Sequence, residues 1–268
     1  MENILIGLVL SMLLLVPLAI KWELPLKPVV IAGAAVGLLS GVVLDLVAFH
    51  LSLGILQRTI LLSAMIVFSS GTLLLIRFFR DPERITPEAK DCVICPADGV
   101  VKYIKPIENN SVPLSSKGFE QVQLSADLLR VVPEGKGYLV GIGMSFLDVH
   151  VTRAPISGRF TFCEHVTGSF LSLKRPEAVY RNERLNQVIE NDDYGIALIH
   201  IASRLVRRII TWFGEGGQIV SGQRIGRITF GSQVDLILPQ IENLVLKIEV
   251  GQKVVAGETV IAEFKAHR

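Results

Sequence analysis

The stretch Gln218-Ile-Val-Ser-Gly-Gln-Arg-Ile-Gly-Arg-Ile-Thr-Phe-Gly-Ser-Gln-Val-Asp235 decides how the polar part of this chain folds. Its β-branched residues come in short runs punctuated by Gly and Ser, which is typical of closely spaced strands. The same rhythm recurs at 99–104, 137–143, 194–202 and 244–264. Helical periodicity is scarce, since 125–130 offers a turn or two at most. The sequence therefore predicts a mainly β domain with a barrel-like or sandwich-like core.

The amino-terminal part of the chain has a different composition. Its first 76 residues carry six charged side chains, whereas the whole chain has 27 Lys and Arg and 25 Asp and Glu. Each of its apolar stretches, 4–20, 29–49 and 59–76, is close to the roughly 20 residues that cross a bilayer as a helix. The first lacks the basic start of a signal peptide. We therefore expect an anchor of three transmembrane helices over 1–76 and a polar domain over 77–268.

The basic residues at the membrane edges predict the orientation. Arg58 alone lies on one side of the anchor, and the other side has five basic residues, Lys21, Lys27, Arg77, Arg80 and Arg84. The polar domain should then face the cytoplasm at the cell membrane, with the amino terminus outside.

Charge and cysteine content exclude several classes of function. A net charge of +2 is too small to favour nucleic acid. Three cysteines make no disulfide framework. Cys92 and Cys95 have the spacing of half a zinc site, but a closed structural site needs four ligands. The sequence therefore predicts no metal, and it leaves open whether the chain forms a homo-oligomer.

The Gly231-Ser232 bond has two interpretations. In isolation it is a turn. In a strained turn the Ser hydroxyl can attack the preceding carbonyl, and Gly permits this because it has no Cβ and tolerates unusual φ and ψ. If elimination follows, Ser232 becomes a pyruvoyl group, an electrophile made from the chain itself.

Four segments, taken in order, resemble the phosphatidylserine decarboxylase proenzymes, particularly the short form of bacteria and archaea. They are Arg-Phe-Phe-Arg-Asp-Pro-Glu-Arg at 77–84, Pro-Ala-Asp-Gly-Val-Val at 96–101, Asp-Val-His-Val-Thr-Arg-Ala-Pro-Ile-Ser-Gly at 148–158 and Phe-Gly-Ser-Gln-Val-Asp at 230–235. The resemblance covers about 77–264.

The resemblance implies a membrane enzyme that cuts itself between Gly231 and Ser232 into a β chain, 1–231, and an α chain, 232–268. The pyruvoyl group formed from Ser232 would accept the electrons released as CO₂ leaves a serine phospholipid, as pyridoxal phosphate does elsewhere. The product would be the ethanolamine lipid, phosphatidylethanolamine. Neither a metal nor a dissociable cofactor would be needed.

The resemblance also implies roles for two polar residues. Asp98 matches the acidic member of the Ser/His/Asp arrangement used in self-cleavage, although an Asp-Gly turn explains it in isolation. His150 matches the decarboxylation histidine, although a core histidine is the alternative. Arg153 stands where longer relatives have a second His, and Arg cannot act as a base. Either His150 serves both steps, or another group, such as His165 or His200, assists Ser232.

Three arginines are candidates for substrate binding. Arg153 could contact the lipid phosphate or the substrate carboxylate through bidentate hydrogen bonds. Arg204 and Arg207 are further candidates for contacts with a phosphate or an anionic surface, although an exposed polar strand edge explains them equally well. The sequence does not separate diacyl lipids from the ether lipids of an archaetidylserine decarboxylase. A membrane-tethered biotinyl or lipoyl-like β-barrel module, with Lys253 at a hairpin tip, is the alternative outside the enzymes.

Overall fold

The computed structural model describes residues 2–22, 24–48, 53–87, 92–113, 121–123, 125–173, 175, 177–203, 208–229 and 232–264, with the backbone alone at 48, 113, 121–123 and 232. These residues form two compact units, Met1–Arg80 and Asp81–Arg268. The helices are α1 (Glu2–Lys21), α2 (Leu26–Ala48), α3 (Ile55–Phe79), α4 (Ala126–Leu129) and α5 (Ala178–Arg181).

The strands belong to the second unit. They are β1 (Cys92–Ile94), β2 (Gly99–Ile107), β3 (Ser111–Pro113), β4 (Gln121–Gln123), β5 (Gly137–Met144), β6 (Val151–Arg153), β7 (Gly158–Val166), β8 (Arg184–Glu190), β9 (Gly195–Ala202), β10 (Ile209–Thr211), β11 (Gln218–Ile219), β12 (Arg224–Ile228), β13 (Ser232–Pro239), β14 (Leu244–Leu246), β15 (Lys253–Val254) and β16 (Val260–Phe264).

The first unit confirms the three predicted apolar helices. Helices α1, α2 and α3 are each long and apolar enough to cross a membrane. Small residues bring α1 and α2 together, because a Cβ on Gly37 or Gly41 would overlap the α1 backbone. Close approach through small residues is how membrane helices gain van der Waals contact, since lipid offers no hydrophobic driving force between them.

The second unit is built around one large antiparallel sheet. Its strand order is β11-β7-β8-β9-β13-β5-β2-β15. Two three-stranded sheets, β1-β16-β14 and β10-β12-β6, accompany it. β13 lies near the centre of the large sheet, paired with β5 on one side and β9 on the other. Residues 232–237 therefore have ladder partners on both edges.

Hydrophobic packing joins the sheets. Val140, Leu198 and Val234 of the large sheet share one buried cluster with Ile225 of β12 and Ile261 of β16. The mainly β prediction is confirmed. The predicted barrel does not close: within the described ranges the large sheet ends at β11 and β15, because the remaining long-range pairings form separate small sheets.

Lys253 lies within a strand. It pairs with Val100 of β2, and the preceding turn, closed by the Glu249 N–H donating to Gln252 Oε1 at 3.0 Å, has Gly251 at φ 92°. The turn tip that a carrier module would use is therefore Val250-Gly251, without a lysine.

Candidate functional site

Three chain segments meet at one end of the large sheet. The Arg153 N–H donates to the Pro96 carbonyl at 2.9 Å, so β6 lies beside the loop that contains Asp98. The Ile228 N–H donates to the His150 carbonyl at 3.0 Å, so the same segment also lies beside the chain that leads to β13. The segments around 96–98, 150–153 and 228 are thus held side by side by backbone hydrogen bonds.

The register of the large sheet extends this meeting point to Ser232. Ser232 begins β13 opposite Met144 of β5 and Ala202 of β9. The next pair along β5, Gly143, lies opposite both Gln233 and Val100. With strands about 4.8 Å apart, β2 and β13 are separated by roughly 10 Å across β5. Gly231, the other half of the proposed cleavage site, lies outside the described residues.

His150 is buried with a defined tautomer. It is 1 % exposed, and its Nδ1 lies 2.8 Å from the Asp148 carbonyl oxygen. Because a carbonyl can only accept, Nδ1 carries a proton, so in the neutral form of the ring Nε2 would have the lone pair. That arrangement suits a general base at Nε2.

Asp98 is held by an arginine and a backbone amide. Oδ1 accepts the Ala256 N–H at 2.8 Å, and Arg84 Nη2 donates to Oδ2 at 2.9 Å and to Oδ1 at 3.2 Å. Gly99 follows at the start of β2, where a Cβ would overlap the Gly143 carbonyl. The carboxylate makes no hydrogen bond to an imidazole in the described part of the chain, so the triad-like contact implied by the resemblance is not formed here.

Arg153 is tied into the protein. It is 5 % exposed, and its guanidinium donates to the Gly222 carbonyl at 2.9 Å and the Pro82 carbonyl at 3.0 Å, with Asp81 at 3.6 Å. Burial, with the positive charges of Arg224 and Arg84 nearby, lowers its pKa against the pull of Asp81. In this position Arg153 anchors the segment after α3, and it does not present a free guanidinium to a lipid phosphate.

Two predicted arginines cannot be placed, and one of the alternative histidines lies away from Ser232. Arg204 and Arg207 lie outside the described residues. His165 is 45 % exposed and pairs with Glu183, with 3.1 Å between Nε2 and Oε1. It lies on β7, and β8 and β9 separate it from β13.

His200 is a buried histidine close to the start of β13. It stands two residues before Ala202 on β9, opposite Val234, and is 2 % exposed. Neither ring nitrogen has a hydrogen-bond partner of normal geometry among the described residues. Burial lowers its pKa to about 4, against a weaker opposing effect of the Leu185 backbone, so the ring is neutral at pH 7.

Sequence reasoning missed a polar cluster on β13. Asp235 is fully buried, and the Tyr103 hydroxyl of β2 donates to its Oδ2 at 2.7 Å. Gln233 Nε2 donates to Asp235 Oδ1 and to the Tyr103 hydroxyl, both at 2.6 Å. An Asp between Val234 and Leu236 in an otherwise apolar run was the available signal, because a buried carboxylate needs hydrogen-bond partners.

The cysteines add no site. Cys95 is buried, and burial raises its pKa to about 12, so it stays a thiol that donates to the Ala97 carbonyl at 3.0 Å. Within the described ranges no three His, Cys, Asp or Glu side chains come together as a metal site.

Comparisons with known proteins agree on one family. A model of the family described as "Phosphatidylserine decarboxylase" matches residues 72–262. A Methanothermobacter thermautotrophicus protein provisionally named an archaetidylserine decarboxylase proenzyme is 40 % identical over 71 % of this chain and 80 % of its own length. A similarly named protein of Methanocaldococcus jannaschii is 39 % identical, over 74 % and 93 %. The phosphatidylserine decarboxylase proenzyme of Geobacter sulfurreducens is 36 % identical, over 72 % and 79 %.

Proposed function

The chain belongs to the phosphatidylserine decarboxylase family, and we propose that it decarboxylates the serine headgroup of a membrane phospholipid after cutting itself between Gly231 and Ser232. The observation that carries the proposal is the meeting of the Asp98 loop, the His150 segment and the start of β13 at one end of the large sheet. These are the segments that the family chemistry requires together.

The setting of Ser232 fits a covalent pyruvoyl group at that position. Ser232 is the first residue of β13, which β5 and β9 hold on both sides. A chain end created there would stay anchored by the ladder, beside the segment that carries a buried imidazole. When formed, the group supplies a carbonyl that accepts the electrons released with CO₂.

His150 is the proposed base for self-cleavage. Nε2 would take the proton of the Ser232 hydroxyl as Oγ forms a bond to the Gly231 carbonyl carbon, and would pass it to the Ser232 nitrogen as the C–N bond breaks, which leaves an ester. Loss of the Ser232 α proton would expel the Gly231 carboxylate from that ester and cut the chain. Hydrolysis of the resulting dehydroalanine with release of ammonia would leave the pyruvoyl group. The same nitrogen would then hold the proton that returns to carbon after CO₂ leaves. Arg153 cannot share this work, because it stays protonated and is bonded within the protein.

Asp98 is proposed to act as a fixed negative charge. Its two oxygens are set by Arg84 and the Ala256 amide, so the carboxylate does not have to reorganise during cleavage. Arg84 is thereby a positioning residue for Asp98. His200 is the second candidate for the base, because its ring has no hydrogen-bond partner of normal geometry among the described residues and lies two residues from Ala202, the ladder partner of Ser232.

The lipid backbone of the substrate has two candidates. Relatives named for phosphatidylserine and for archaetidylserine decarboxylation are similarly close to this chain. The reaction takes place in the headgroup that both lipids share. We propose the diacyl lipid as the substrate, with the ether lipid as the alternative. From the basic residues that flank the helices, we place the active unit on the cytoplasmic side of the cell membrane.

Purified full-length protein tests the proposal. Denaturing electrophoresis and mass spectrometry should show a fragment of residues 232–268 whose amino end is a pyruvoyl group, and Ser232→Ala should leave one uncut, inactive chain. Micelles of diacyl and of ether serine lipid then separate the two substrates. An intact wild-type chain that keeps Ser232 after full maturation would disprove the self-cleavage.

A further inference from the structure

The buried cluster of Tyr103, Gln233 and Asp235 joins two strands that are not neighbours. Tyr103 and Asp235 both lie opposite Gly141 of β5, so Tyr103, Gly141 and Asp235 form one row across β2, β5 and β13. A Cβ on Gly141 would overlap the Tyr103 ring. The glycine therefore lets the Tyr103 side chain cross the middle strand and reach β13.

The hydrogen bonds of the cluster fit an ionised Asp235. The Tyr103 hydroxyl has one proton, which it donates to Asp235, and its oxygen accepts from Gln233. Gln233 donates its other amide proton to Asp235. Burial and the charge of Asp235 raise the pKa of Tyr103, so it remains a donor. Each member thus fixes the other two.

The cluster connects the two strands that carry the proposed chemistry. β2 follows Asp98 directly, and Gln233 is the residue after Ser232. After a cut at Gly231-Ser232, Gln233 would be the second residue of the α chain, and Tyr103 would belong to the β chain. The Tyr103 bonds would then be side-chain links between the two chains, next to the new chain end.

We propose that Tyr103, Gln233 and Asp235 form a clamp that positions residue 232 relative to the Asp98 and His150 segments, before and after cleavage. The proposal rests on the proposed function. The clamp members are positioning residues, since they act on the reacting group through the β13 backbone. Asp235 is the member through which the clamp responds to pH.

The charged and titratable surroundings of Asp235 determine that response. Burial raises its pKa to about 6, and the Tyr103 and Gln233 hydrogen bonds and the positive charge of Lys105 act in the opposite direction. Tyr180 of α5 also faces it, and its own pKa is raised to about 12, mainly by burial. Protonation of Asp235 removes an acceptor from the clamp, so activity should fall on the acid side. Loss of the Tyr103 hydroxyl should move that fall to higher pH.

The test compares Tyr103→Phe with Tyr138→Phe, a control that removes a hydroxyl from β5 outside the clamp. We expect Tyr103→Phe to cut more slowly. Once it is fully cut, kcat on serine phospholipid in detergent micelles should fall about tenfold with KM little changed, since a hydrogen bond to a charged group is lost. The acid limb of its kcat profile should shift to higher pH. Gln233→Leu removes two of the clamp bonds from the other side and serves if Tyr103→Phe does not fold.

The outcomes separate the clamp from the function on which it rests. If wild-type protein is cut and Tyr103→Phe matches Tyr138→Phe in cutting rate, kcat and acid limb, the clamp is wrong and the proposed function stands. If wild-type protein is not cut, the proposed function fails and the clamp with it. A lower kcat without a shift of the acid limb would also overturn the clamp, because a general loss of structure explains it.

Discussion

Replacing Arg84 by Met should expose the importance of the ion pair with Asp98. The two side chains are only 15 % and 11 % exposed, and Arg84 Nη2 contacts both carboxylate oxygens. Breaking a buried pair costs about 3–5 kcal/mol. Here the Ala256 amide still serves Oδ1 and some water reaches the site. We therefore expect Arg84→Met to lower the free energy of unfolding by about 2–3 kcal/mol, close to the penalty for a buried charged group left without a hydrogen-bond partner.

Thermal unfolding of the full chain in detergent measures this loss. A Ser232→Ala background keeps every sample uncut, so that cleavage does not change the unfolding transition. For a unit of this size, each kcal/mol shifts Tm by about 2–4 °C, so Arg84→Met should lower Tm by about 5–10 °C.

The matched control is Arg175→Met. Arg175 is 65 % exposed and lies 4.0 Å from Glu177, so its loss should cost well under about 1 kcal/mol. Adding Asp98→Asn to Arg84→Met should recover part of the stability, because the unpaired buried carboxylate is gone. Equal shifts for Arg84→Met and Arg175→Met, or no recovery in the double variant, would refute the reasoning.

Four further changes test the site. His150→Ala should abolish both cutting, measured on gels, and decarboxylation, measured as CO₂ release. Normal cutting of this variant would show that a second base activates Ser232. Asp98→Asn should slow cutting at least tenfold in a time course, and an unchanged rate would remove Asp98 from the scheme. His200→Leu should be cut normally, and an uncut chain would instead make His200 the base. Its Tm relative to wild type should rise as pH falls from 6.5 to about 4, since the folded wild-type protein resists protonation of the buried ring and loses stability there. Asp235 takes up its proton more readily in the folded than in the unfolded protein, so the free energy of unfolding falls as pH rises from 3.8 to about 6. Relative to wild type, Asp235→Asn should therefore be more stable by up to about 3 kcal/mol at pH 7 and no more stable below about pH 4. Tm measured at the two pH values makes the comparison.

Several features could be predicted because they are encoded locally. Apolar stretches near membrane-spanning length predict helices whatever lies around them, and α1, α2 and α3 follow those stretches. Short β-branched runs between glycines predict strands, as at β5 and β9. The closure of a sheet is not local, because it depends on which distant edges pair. The barrel-like expectation failed for that reason.

The side-chain partners at the site could not be predicted. The resemblance implied an imidazole beside Asp98 and a lipid phosphate or substrate carboxylate beside Arg153. Among the described residues, Asp98 is bonded to Arg84, and Arg153 is bonded to the Pro82 and Gly222 carbonyls. In both cases the segment after α3 supplies a partner that lies distant in sequence. Only the folded path of that segment brings it to the Asp98 loop and β6.

The sequence by itself determined the three long apolar helices, the family and the position of the Gly231-Ser232 bond, because each depends on the order of residues along the chain. The tertiary structure alone decided that Tyr103 reaches Asp235 across Gly141, that the buried His200 ring has no hydrogen-bond partner of normal geometry among the described residues, and that Asp98 is held by Arg84. Those contacts depend on sheet register and on burial. Burial excludes water, which strengthens each hydrogen bond and raises the free-energy cost of each polar group left unpaired.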